Sequence, residues 1–206
     1  MAASVFERFV GWCAILNGVA GFLYAVAFFI ISRSGPTAGG LLAPLFLMLT
    51  GLLSAAVFVA LYRRMLETDS AFALLALVLG ALGAFGALTH GGYDLANAIH
   101  PPAPVPADLP SQVDPRGLLT FGITGAALFV FARLMLVSGQ FPRGLSYLGY
   151  LSAILLVVLY LGRLIILDPT HPVIVVPAVL NGFLVGPAWY VWLGIVVWRG
   201  PTASDT

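Results

Sequence analysis

The sequence predicts an all-α membrane protein, a single bundle of six transmembrane helices, on three observations. Of its 206 residues 61% are hydrophobic and only 8% are charged, where soluble domains carry roughly a quarter of charged residues. A soluble exterior has to be covered largely by polar groups, and this chain lacks them. Six apolar segments are each long enough, at about 20 residues, to cross a hydrocarbon core of about 30 Å. The connections between them are too short for a separate soluble domain, so residues 1–206 read as one transmembrane domain.

The first helix is expected over roughly 9–31. Its apolar stretch is too long for a signal-peptide core and has no small-x-small cleavage site, so it reads as a retained helix. The second spans 41–62 and leaves the membrane at Arg63 and Arg64. The third, 71–90, is free of charge, and Gly80, Gly83, Ala84, Gly86 and Ala87 give it a small-residue face for close helix contact, which places it centrally. It then meets the polar stretch "HGGYDLANAIH", which extends it to 99 if the helix continues; Gly91 and Gly92 mark an expected bend. A proline-rich outer loop, 101–116, follows. The fourth and fifth helices are expected at 117–138 and 144–166. The sixth, 173–198, contains "PAVLNGFLVGPAWYVW", whose Pro177 and Pro187 each remove a backbone donor and predict a kink.

Orientation follows from arginine, the only basic residue besides three histidines. Arg8, Arg63, Arg64, Arg133, Arg143 and Arg199 fall on the face of the termini, against Arg33, Arg116 and Arg163 on the other. Cytoplasmic loops carry the excess, so both termini are expected in the cytoplasm of a multi-pass protein of the cell (inner) membrane. A net charge of +1 with no basic stripe excludes a nucleic-acid partner. The absence of lysine excludes Schiff-base chemistry, and the single cysteine, Cys13, excludes an intrachain disulfide. The expected partners are the lipid bilayer and, through the helix faces, a second copy or another membrane subunit.

Chemistry-bearing residues gather at the outer face. At about 100° per residue, His90, Tyr93, Asp94, Asn97 and His100 occupy one stripe about 120° wide, with Leu95, Ala96, Ala98 and Ile99 opposite. The loop "GRLIILDPTHP" brings Arg163, Asp168 and His171 to the same level. Three readings stand open. An emerging helix needs a polar face, and these residues are then simply solvated or paired. They line an outer pocket for a small molecule, a lipid headgroup or a partner. Or His90 and Asp94, spaced i, i+4, hold a metal joined by His171, His100 or Asp168, a donor set that suits zinc.

Deeper in the bilayer no segment carries a charge near its middle, which counts against energised transport. Asn17 and Asn181 are the polar groups at depth; counted from their helix ends they fall at similar levels if helices one and six are neighbours, where interhelical hydrogen bonding is the ordinary role.

The stretch "FARLMLVSGQFPRGLSYLGYLSAILLVVLYLG", followed by "VLNGFLVGPAWYVWLGIVVWR", resembles a bacterial membrane family catalogued as domain of unknown function 4386. Ser138, Gly139, Pro142, Arg143, Leu148 and Gly149 form the family's inner turn, with Ser146 and Tyr147 enlarging its spacing, and "VALYRRML" is similar to its second-helix exit. The resemblance implies a six-helix bacterial membrane protein and brings no activity with it; the His90–Asp94 stripe lies outside its pattern.

The favoured expectation is a non-catalytic protein that binds a small molecule or lipid, or an accessory subunit, with a polar pocket at the extracytoplasmic mouth. The alternatives are a metal-dependent membrane hydrolase acting at the outer leaflet, and a facilitative transporter or channel. Peripheral haem or pigment ligation by histidine is a further possibility that an absorption spectrum decides.

Overall fold

The computed structural model describes residues 4–101 and 116–200, all helical apart from short turns. Six helices are long and apolar enough to cross a membrane: α1 Val5–Ser34, α2 Pro36–Met65, α3 Ser70–Ile99, α4 Leu118–Ser138, α5 Arg143–Ile166 and α6 Pro172–Arg199. All but α4 start before their expected first residue, by four residues at α1, five at α2 and one at α3, α5 and α6. Ser4 and Glu7 form a capping box at α1, Asp69 accepts from the amides of Ala71 and Phe72 at α3, and His171 accepts from Val173 at α6. The SGQFPR turn closes with Gly139 at φ 67°, a left-handed position that costs glycine nothing, and Pro142 caps α5.

Each helix packs on its chain neighbours, and α6 closes the ring onto α1. Expected as a central helix, α3 is one wall of this ring, held between α2 and α4. Its small face serves both sides: a Cβ on Gly80 would meet the Phe58 ring at 2.7 Å, and one on Gly86 would meet the backbone of Leu119 and Thr120. The bend expected at Gly91 and Gly92 does not occur, since α3 runs unbroken to Ile99. Gly91 is instead needed for approach, its Cβ position lying 2.5 Å from the Pro44 carbonyl of α2. The α1–α6 seam follows the same logic. Gly11 packs on Gly194 and Trp198, Gly18 on Pro187 and Val191, and Gly182 on Ala25, an antiparallel register set by small residues seven apart on α1.

The ring is solid in the half nearest the termini and hollow in the other. Every helix feeds the solid half, with Val10, Leu61, Ala76, Met135, Leu145 and Leu193 fully buried, Phe58 and Phe131 stacked at 5.7 Å, and Trp189 at its top. Glu7 and Arg64 (2.7 Å) tie its outer rim, and Arg64 also reaches the Val197 carbonyl.

Candidate functional site: a shaft in the distal half

The hollow half is a cavity of about 820 Å³, within the size range of small-molecule sites. Apolar walls dominate: Phe28 and Phe29 from α1, Pro44 and Leu47 from α2, Ala87 from α3, Phe121 from α4, Leu156 and Leu159 from α5, Ile174 from α6. The buried core beneath makes it blind at the terminal end. Three helices switch to π geometry where they line it, at Ala27–Ile31, Leu118–Ile123 and Asn181–Val185. Local chemistry accounts for each. Ser32 donates its hydroxyl to the Ala27 carbonyl and Thr124 donates to that of Leu119, both five residues back. Pro187, which has no N–H and would clash with the carbonyl four residues earlier, follows the third. A π turn inserts a residue and re-aims its side chains, and such turns concentrate at functional sites.

Of the residues expected at an outer pocket, His90, Asp94, Asn97 and Arg163 line this cavity, and so do the deep amides Asn17 and Asn181. Tyr93, His100, Asp168 and His171 do not. Much of the α3 stripe is consumed in docking α3 to the start of α4. Arg116 reaches Asp94 at 3.2 Å and the His90 carbonyl at 3.4 Å, and its guanidinium covers the Tyr93 ring at 4.1 Å. Thr120 gives its hydroxyl proton to the Arg116 carbonyl (2.9 Å), so toward His90 Nδ1 (3.2 Å) it accepts. The Nε2 edge of the imidazole faces Asp94 at 3.5 Å. His100 ends α3, its amide donating to the Ala96 carbonyl.

The expected metal set does not come together. His171 Nδ1 accepts from the Val173 amide at 3.2 Å as the cap of α6, which occupies the lone pair a metal would need. Among the described residues no group of three or more His, Cys, Asp or Glu is placed to hold an ion. Asp168 belongs to the same cap: the hydroxyl (2.7 Å) and amide (2.9 Å) of Thr170 both donate to its Oδ1. Those two bonds hold its carboxyl below the usual carboxylate range. A depressed folded value stabilises above the unfolded pKa and is lost as pH falls through it, so this turn loosens only in acid, below about 3.9. Carboxyl-carbon NMR of labelled aspartate should give Asp168 a midpoint below that value and a rise toward it in Thr170→Val. A midpoint at or above it in the parent would contradict the turn. Residues 102–115 of the proline-rich loop lie outside the described residues.

The two amides do not share a level. The α1–α6 register sets Asn17 opposite Tyr190 and Asn181 opposite Val26, so about nine residues, or about 13 Å, separate them at about 1.5 Å per residue. Counting from sequence-predicted helix ends misses this, because packing sets the register. Asn181 accepts from Ser152 of α5 at 2.8 Å, the ordinary interhelical bond. Asn17 is 1% exposed, and neither of its amide atoms has a hydrogen-bond partner.

Arg163, expected at the outer pocket, is a wall residue of this cavity. It stands in the last turn of α5 on the cavity, and among the described residues its buried Nη1 has no hydrogen-bond partner and no carboxylate pairs with it. Three tyrosines were missed altogether: Tyr24, Tyr160 and Tyr190 line the cavity from α1, α5 and α6. Each looks like an ordinary apolar helix residue in the sequence, and only the ring turns it inward. No protein-family profile, no curated protein and no solved structure matches the chain, and the resemblance of the second half brings no residue role to the site.

Proposed function

We propose that this protein is a binding or accessory subunit of the cell membrane, non-catalytic, that holds one anionic amphiphile in the shaft. The observation that carries the reading is Arg163, a cation with no acidic partner among the described residues, on the wall of a blind, largely apolar cavity. Desolvating a lone charge is costly, and an anionic headgroup is the chemistry that offsets it, while the walls take up an apolar body. A blind cavity favours holding over passage, because the packed rings of Phe58, Phe131 and Trp189 leave no path through the terminal half. The arginine bias supports termini in the cytoplasm and a shaft facing outward.

The test is binding of palmitate to the protein in nanodiscs, by displacement of a fluorescent fatty acid. Palmitate should compete, palmityl alcohol should compete at least about tenfold less well, and Arg163→Met should erase that difference, a loss of about 1.4 kcal/mol or more. Failure of palmitate to compete, or equal competition by acid and alcohol, would remove the reading.

A further inference from the structure

We infer that the ligand carries a second hydrogen-bonding group, a hydroxyl or carbonyl, at the end opposite its anion, received by Tyr190 with Asn17 behind it. The inference rests on the shaft reading above and adds the chemistry of the far end.

The geometry runs from mouth to floor. Gly162 packs on Val173 and Ile174, which puts Arg163 at the level of residue 173 on α6. Tyr190 lies seventeen residues further along the same helix, about 25 Å at about 1.5 Å per residue. The shaft therefore has a cation near one end and polar groups at the other, with apolar walls between.

The floor is polar in a way packing does not explain. Buried tyrosine hydroxyls and amides ordinarily find a partner. Here Tyr190 borders the shaft, while Asn17 lies across the register from it, buried, with neither amide atom hydrogen-bonded among the described residues. No hydrogen bond of standard geometry joins the phenol to that amide. A hydroxyl or carbonyl arriving at the floor gives the phenol its partner and lets it settle against the amide. A plain alkyl end leaves all of these groups unmet. The mouth does not compete for the same role, since Asp94 is engaged by Arg116 and the anion is drawn to Arg163.

The experiment compares palmitate with ω-hydroxypalmitate on the full chain in nanodiscs, in the parent protein and in Tyr190→Phe and Asn17→Leu. The hydroxylated chain should bind about ten- to hundredfold tighter to the parent. Tyr190→Phe, which keeps the ring, should reduce that preference to within about threefold. Asn17→Leu should reduce it in part. Equal affinities in the parent mean that water serves the floor and overturn the inference with the shaft reading intact. A preference that survives Tyr190→Phe overturns it too. If neither acid binds, the shaft reading fails and the inference falls with it.

Discussion

Trp189→Ala is expected to lose about 3–5 kcal/mol of stability, the range for deleting a large buried aromatic. The indole is fully buried where the solid half meets the shaft, edge-on to Tyr190 at 4.8 Å and flat enough against α5 that Gly149 has no room for a Cβ. Its removal leaves a void that the six-helix ring has no slack to close. Trp189→Phe separates packing from polarity. The Nε1 donor has no hydrogen-bond partner, so phenylalanine removes an unmet polar group while keeping most of the volume, and should stay within about 1 kcal/mol of the parent. Equilibrium unfolding in mixed micelles, followed by far-UV circular dichroism, reads both. A loss below about 1 kcal/mol for the alanine variant would show that Trp189 does not seal the core.

Gly18→Leu is expected to open the seam that closes the ring. A Cβ at Gly18 already lies 2.8 Å from the Pro187 carbonyl oxygen and 2.8 Å from Val191 Cγ2. The carbonyl belongs to the backbone of α6, so the clash is relieved only by moving one helix off the other. Overpacking costs about 1–3 kcal/mol and occasionally more, and a leucine at this spot belongs at the upper end. The control is three residues along. A Cβ at Gly21 has its nearest neighbour, Thr50 Cγ2, at 4.0 Å. Gly21→Ala should thus be neutral or stabilising by up to about 1 kcal/mol through helix propensity, while Gly18→Ala destabilises. The same unfolding assay measures the pair, and equal effects at the two glycines would mean that close approach does not set the α1–α6 register.

The family of six spans was legible because a bilayer imposes a length and a composition on anything that crosses it, and both are readable one residue at a time. The cap of α6 was not legible, because His171 as an N-cap needs the turn in which Asp168 and Thr170 place it. The stripe on α3 was legible as a stripe, but the group it pairs with was left open. Arg116 answers Asp94 across 22 positions of sequence, part of them in the proline-rich loop, and periodicity carries no information across such a gap. The depth of Asn17 against Asn181 went wrong for a related reason, because register is set by where glycines let backbones touch.

What the sequence by itself determined is the class, the number of spans, and the polar inventory of each helix: these depend on local composition and on the period of 3.6 residues. The tertiary structure alone decided that the helices close into a ring, that half of this ring is hollow, and that Tyr24, Tyr160, Tyr190, Asn17 and Arg163 share one cavity. The physical reason is that a lipid-facing and a cavity-facing position are written in the same apolar alphabet. Only the approach of one helix to another, a fraction of an ångström at Gly18 or Gly91, determines which way each side chain turns.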